Sequence, residues 1–94
     1  MIQGFRDRET AKVWEGGRSR RLPPWIQATA LRRLRALNSV TSLRELAVFR
    51  GNHLEALRGD RVGQFSIRIT DQWRICFRWT ERVPADVEIV DYHS

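Results

Sequence analysis

The sequence predicts an α+β fold, with two N-terminal helices packed on one face of a small antiparallel sheet. Three observations carry this. Residues 57–79 alternate with period two on both sides of Asp71-Gln72, the pattern of two strands joined by a tight turn. The stretch after Pro23-Pro24 carries Ile26, Ala30, Leu34 and Leu37 at helical spacing. Helical signals then give way to a run of strand signals rather than alternating with them, which argues for helices segregated to one side of an antiparallel sheet.

In chain order, Met1 to Phe5 is a short apolar start read as an edge strand. Asp7 caps a helix over Arg8 to Glu15, expected to bury Ala11 and Trp14 and to stop at Gly16-Gly17. Arg18 to Arg21 is a basic linker. Pro23-Pro24 opens the longest helix, to about Asn38, since proline is tolerated in a first turn. Its outer side carries Arg32, Arg33 and Arg35. Ser42 and Glu45, three residues apart, form a capping box for a short helix to Val48. Gly51-Asn52 reads as a turn and His53 to Arg58 as a strand, with Leu54 and Leu57 of opposite parity suggesting a bulge. Residues 59–63 form the loop into the central hairpin. Pro84 precedes a last strand, Ala85 to Tyr92.

The hairpin sorts its residues by parity. Phe65, Ile67, Ile69, Trp73, Ile75, Phe77 and Trp79 form an apolar face for the core. Ser66, Arg68, Thr70, Arg74, Cys76 and Arg78 form the other face, expected to be a shallow basic surface that carries the function. Keeping the apolar sets together requires Ile69 to oppose Trp73, because a one-residue slip sends them to opposite faces. The loop is therefore Thr70 to Gln72, expected to include a residue of positive φ.

The 94 residues suit a single domain, 1–94, with one core. A lone cysteine, Cys76, excludes an intramolecular disulfide, no metal-ligand cluster is evident, and no cofactor is expected. No apolar run reaches about 18 residues and the start lacks the apolar block of a signal peptide, so a soluble, cytoplasmic protein without a membrane partner is expected. The formal charge is +6, and of the seventeen basic residues all but Lys12 are arginine. Arginine's planar fork fits phosphates and stacks on bases, so a nucleic acid or an acidic protein is the partner class that charge favours. A solvated, arginine-rich surface explains the same charge.

Chemistry needs more than cations. Asp91, Tyr92 and His93 place a carboxylate, a phenol and an imidazole in consecutive positions. With Val87 and Ile89 in the core, Tyr92 falls on the face of Arg74 and Arg78. This inventory suits metal-free cleavage of RNA, in which a ribose 2′-hydroxyl attacks its own 3′-phosphate. That reaction needs a base, an acid and positive charge on the phosphorane oxygens. His93 can serve as base or acid, Arg74 and Arg58 can stabilise charge, and Tyr92 can stack on a base. Against this stand plainer readings: a polar tail for the last residues, a surface histidine at His53, an inert Cys76, an Arg61 paired with Asp60, and a solvated Arg78.

The run Asn-His-Leu-Glu-Ala-Leu-Arg-Gly-Asp-Arg at 52–61, then Gln64 to Ile69, Asp71 to Ile75 and Val87 to His93, resembles the HigB-type toxins of the RelE/ParE superfamily. Phe5-Arg6-Asp7, Leu22-Pro23 and Thr41-Ser42-Leu43 extend the resemblance over nearly the whole chain. The resemblance implies a RelE/ParE-like fold and a toxin of a type II toxin–antitoxin system that cuts mRNA on the 70S ribosome and so arrests translation. It implies a HigA-like helix-turn-helix antitoxin as partner, with an oligomer formed through that antitoxin. By position, Arg74 matches the arginine at the centre of the family's active surface, and Asp91, Tyr92 and His93 match its terminal catalytic group. Arg58 stands where many members have lysine, and Arg68, Arg78, Arg61 and His53 are read as RNA contacts. Glu55 stands where some members place an active-site histidine, a departure that bears on the general base. Val48-Phe49-Arg50 replaces a stretch that carries prolines in many relatives, expected to alter a loop.

Two other classes compete. ParE-type relatives share the fold but poison DNA gyrase, and a non-catalytic RNA- or ribosome-binding module would need only the basic surface. Cleavage of message separates the first reading from both.

Overall fold

The computed structural model describes residues 1–92. His93, assigned a catalytic role from the sequence, lies outside them. Three helices, α1 (Arg8–Trp14), α2 (Pro24–Ser39) and α3 (Leu43–Val48), precede four strands, β1 (Glu55–Ala56), β2 (Gln64–Arg68), β3 (Trp73–Thr80) and β4 (Val83–Asp91). The strands form one antiparallel sheet in the order β1-β2-β3-β4, the α+β arrangement expected.

Helix α1 starts where the sequence placed it. Asp7 accepts from the Thr10 N–H at 3.2 Å, and Gly16, at φ +85°, closes the other end. There the Gly16 and Gly17 N–H groups donate to the Val13 and Lys12 carbonyls at 3.0 and 2.8 Å, the paired bonds of a Schellman motif. The buried residues are Thr10 and Val13 rather than Ala11 and Trp14. A polar need on β4 sets this rotation: the Thr10 hydroxyl accepts from the Ile89 N–H at 2.9 Å while donating to Asp7 Oδ1 at 2.6 Å. A buried strand amide left without that acceptor would cost on the order of 1–3 kcal/mol.

Ile26, Ala30, Leu34 and Leu37 on α2 are all fully buried, as their spacing predicts. They meet Ile67, Ile69, Ile75, Phe77, Val87 and Ile89 from the sheet in one core. At α3 the Ser42 hydroxyl accepts from the Glu45 N–H at 3.3 Å, but the Glu45 carboxylate reaches back to Thr41 rather than to Ser42.

The hairpin register agrees with the parity argument. Phe65 opposes Phe77, Ile67 opposes Ile75, and the Ile69 N–H donates to the Trp73 carbonyl at 2.9 Å. No residue from Thr70 to Gln72 has positive φ. The Thr70 hydroxyl does the work instead, accepting from the Gln72 and Trp73 N–H groups at 3.2 and 3.1 Å, a threonine-built turn that needs no left-handed residue.

The strand signals at the ends of the chain are corrected in three places. Residues Met1 to Phe5 form no strand; they lie along the outer edge of β4, making one parallel bridge between Phe5 and Val87. Only Glu55–Ala56 of the expected 53–58 strand is a strand, because His53 takes the left-handed region (φ 43°) and breaks the run. Finally, β4 begins before Pro84. A two-residue turn, Glu81-Arg82, with both φ positive at 46° and 71°, joins it to β3, the geometry that matches strand twist. The Pro84 carbonyl accepts from the Gln3 N–H at 2.8 Å, on the side away from β3. That side would also carry the missing N–H, so no ladder bond is lost.

A bulge then decides the orientation of everything after it. The register shifts between Cys76–Glu88 and Arg78–Ala85, with Asp86 at φ 50° as the extra residue. The shift turns Val87 and Ile89 into the core and sends Glu88, Val90 and Tyr92 to the other face.

Candidate active site on the polar face of the sheet

Behind the core lies the face of Ser66, Arg74 and Cys76, expected to be a shallow basic surface. It is buried instead. Ser66 and Cys76 are fully enclosed, and Arg74 is only 7% exposed. The segment from His53 to Arg61 covers it: β1 pairs Glu55 with Ser66, and the Leu57 N–H donates to the Gln64 carbonyl at 2.9 Å. Leu57 consequently falls on this side and is buried, while Leu54 packs towards the helix-side core. Their opposite parity reflects one cover strand serving two layers.

Arg74 is held at several points. Its Nε–H donates to the Ser66 hydroxyl at 2.7 Å, and Nη2 donates to the His53 carbonyl and, at 3.4 Å, to the Ser66 carbonyl. Its guanidinium lies 5.9 Å from the centre of the Tyr92 ring, within cation–π range. Tyr92 is fixed through its backbone, whose N–H donates to the Gln72 carbonyl at 2.6 Å. The remaining amino group of Arg74, Nη1, has no hydrogen-bond partner among the described residues. The side chain is thus a desolvated cation, fixed by neutral oxygens with no carboxylate in its cage. Such a group keeps its charge for an incoming anion.

A cleft of about 580 Å³ opens beside this cage, lined by Glu55, Ala56, Leu57, Arg58 and Tyr92. Arg61 does not pair with Asp60. It donates to Glu88 Oε1 at 2.6 Å and Gln64 Oε1 at 3.0 Å, and the bond to Glu88 raises its pKa further. Arg6 lies 3.8 Å from the other Glu88 oxygen. Burial pushes the Cys76 thiol up to about 11, so it is protonated at neutral pH and a poor nucleophile.

The other sequence-picked residues fall further out. Arg68 is tied to Asp71 at 2.6 Å, and Arg78 sits 3.6 Å from Asp86 with its side chain about half exposed. The His53 side chain is exposed, and it is the backbone carbonyl that serves the site. Asp91 opposes Trp73 and accepts from Gln72 Nε2 at 3.1 Å, so it stands on the core-facing side of β4 while Tyr92 stands on the other. The structure therefore brings together Arg74, Tyr92, Arg58 and Arg61, and does not bring Asp91 to the same face.

Two participants had no place in the sequence reading, Ser66 and the His53 carbonyl. The first had a signal, since it is the small polar residue of the arginine's own parity on the neighbouring strand. The second depends on a left-handed backbone at a histidine, which spacing does not encode. Among the described residues no group of three or more His, Cys, Asp and Glu side chains is arranged to hold a metal ion, and no helix is long and apolar enough to cross a membrane.

Comparison with known proteins fits this geometry. The chain is 31% identical over 84 residues to Toxin HigB-1 of Vibrio cholerae, covering 88% of each chain. It is 28% identical over 95 residues to Endoribonuclease HigB of Proteus vulgaris, covering 99% of this chain and 100% of that one. Residues 3–93 match the family described as the RelE-like toxin of type II toxin–antitoxin system HigB. The chain belongs to the HigB family of RelE-like toxins of type II toxin–antitoxin systems.

Proposed function

We propose that the chain is an endoribonuclease that cuts mRNA on the 70S ribosome and so inhibits translation. The observation that carries this reading is the Arg74 cage: a buried guanidinium held by Ser66 and His53 oxygens, against the Tyr92 ring, at the wall of an open cleft. The name of the Proteus vulgaris relative supports the same activity. In the reaction a ribose 2′-hydroxyl attacks the adjacent phosphorus and the 5′-oxygen leaves. Arg74 meets the charge on the phosphorane oxygens, and its orientation is fixed before substrate arrives, so little reorganisation is needed. Tyr92 stacks on a base next to the scissile bond. Arg58 contacts phosphate from the cleft wall, Arg61, Arg68, Arg78 and His53 contact RNA around it, and His93 exchanges a proton. Asp91 acts in this reading only by holding the last turn of the chain against Gln72.

The cleft is shallow and carries few catalytic groups, so the ribosome is assigned the task of positioning the message. The partner is a HigA-like helix-turn-helix antitoxin, which also joins toxin copies into the oligomer. The chain acts as one domain, in the cytoplasm. The test is mapping of mRNA 5′ ends after a brief pulse of expression, with an Arg74→Ala control. In-frame cuts within translated codons, absent from the control, are expected; intact messages alongside growth arrest would overturn the reading.

A further inference from the structure

We propose that Glu55 is the general base that takes the 2′-hydroxyl proton, an inference that rests on the endoribonuclease reading above. The polar side of the sheet carries two carboxylates, Glu55 opposite Ser66 and Glu88 opposite Cys76. Glu88 is committed: its oxygens meet Arg61 at 2.6 Å and Arg6 at 3.8 Å, and its side chain is only 14% exposed. Asp91 stands on the other face, opposite Trp73. Glu55 is exposed, lines the cleft with Arg58 and Tyr92, and has neither hydrogen bond nor ion pair among the described residues. It is the only acid lining that cleft. Ser66, its cross-strand partner, is the residue that holds Arg74 Nε at 2.7 Å, so the carboxylate and the guanidinium share one side of the sheet.

A carboxylate with open lone pairs beside a phosphate-binding cation is the arrangement transesterification needs. Glu55 accepts the proton as O2′ bonds to phosphorus. The P–O5′ bond breaks with its electron pair on O5′, which takes a proton from a second donor, the role left to the His93 imidazole. The products are a 2′,3′-cyclic phosphate and a 5′-hydroxyl, and Glu55 returns its proton to solvent. The charged and titratable groups facing Glu55 are Arg58 and Tyr92 across the cleft, with Arg74, Arg61 and Glu88 behind them and His53 two residues upstream. The cations among them stabilise the carboxylate form near neutral pH, the form a base must have.

The experiment is single-turnover cleavage of message on programmed ribosomes from about pH 5 to about pH 9, for the unaltered chain, Glu55→Gln, Glu55→His and Arg74→Ala. Glu55→Gln is expected to slow cleavage by about 100-fold or more and to abolish the acid limb of the profile. Ribosome affinity should hold or rise, since a negative charge leaves the RNA path, and Tm should not move because the side chain is exposed. Glu55→His is expected to restore activity, with its acid limb displaced upward by about two pH units, the gap between ordinary carboxylate and imidazole values. A Glu55→Gln variant at the unaltered rate, or an acid limb unmoved in Glu55→His, overturns the assignment. If Arg74→Ala is then still inactive, the endoribonuclease reading survives without Glu55. Failure of the unaltered chain to cut on ribosomes takes down both.

Discussion

The two faces of the sheet obey different rules, although both come from the same alternating strands. On the helix side, apolar residues meet apolar residues, and any set of the right spacing packs: Ile26, Ala30, Leu34 and Leu37 are all buried against Ile67, Ile75 and Phe77. On the other side the strands present polar groups, and each buried one has a named partner, as Arg74 has Ser66 and His53, and Arg61 has Gln64 and Glu88. Hydrophobic packing tolerates substitution by volume; a buried guanidinium tolerates only the oxygens already in place. Charge follows the same division. Residues 16–54 carry eight arginines and a single acid, Glu45, whereas residues 55–94 carry six arginines and seven acids. All five ion pairs among the described residues lie outside 16–54. The net positive charge therefore belongs to the helical segment, and the candidate site is locally balanced rather than strongly basic.

The largest expected effect is at Arg74. Arg74→Ala should lower cleavage on ribosomes by about 10²–10³-fold, the range for removing one preorganised donor from a developing oxyanion. Arg74→Lys keeps the charge but not the fork, so it cannot meet Ser66, His53 and substrate together, and most of that loss should persist. Single-turnover rates decide it. Lysine at the arginine's rate would mean that the polar face needs only a charge, and the contrast between the two faces would collapse.

On the helix side the expected loss is one of stability alone. Leu34→Ala should cost about 2–5 kcal/mol in urea unfolding, from lost transfer energy and the cavity left behind. The fraction still folded should cleave at the normal rate. Reduced cleavage per folded molecule would show that the core layer tunes the polar face.

A smaller effect reports on how dry the polar face is. The Cys76 thiol is raised to about 11 by burial, above its value near 8.5 in an unfolded chain. The raised value means that the stability contributed by keeping the thiol neutral is complete below about pH 8.5 and is lost as pH climbs through about 11, an effect on the order of 2 kcal/mol. Cys76→Ala should flatten that part of the curve of unfolding free energy against pH. Equal slopes in both proteins would mean that water reaches the thiol.

What was legible in the sequence divides along the same line. The apolar faces, the α1 cap at Asp7, the α2 stripe and the Ile69–Trp73 register all follow from periodicity and local chemistry, because each depends on residues near in sequence. The burial of Arg74 was not legible, since it depends on a cover segment whose path is set by a left-handed His53. Nor was the β4 bulge at Asp86, although it alone turns Tyr92 towards Arg74. An arginine on a polar strand face reads as a surface cation until the topology supplies a lid. Ser66 was the available hint, a small hydroxyl residue where a solvated face would tolerate any polar side chain.

Ser66 gives the smallest effect and the sharpest test of that account. Ser66→Ala removes the acceptor 2.7 Å from Arg74 Nε while leaving the strand pairing of Ser66 with Glu55 and Cys76 intact. The guanidinium keeps its His53 contact, so it stays in the cage but loses one restraint on its plane. Cleavage should fall about tenfold, worth about 1.4 kcal/mol, and should appear in the rate of the bound message rather than in ribosome affinity. Ser66→Thr, which keeps the hydroxyl, should recover most of the loss. The double variant with Arg74→Ala separates orientation from mere packing. If the serine acts only by aiming the arginine, removing it from a chain already lacking Arg74 changes cleavage no further, and the two losses fail to add. Independent, additive losses would mean that Ser66 supports the polar face in some way that bypasses Arg74.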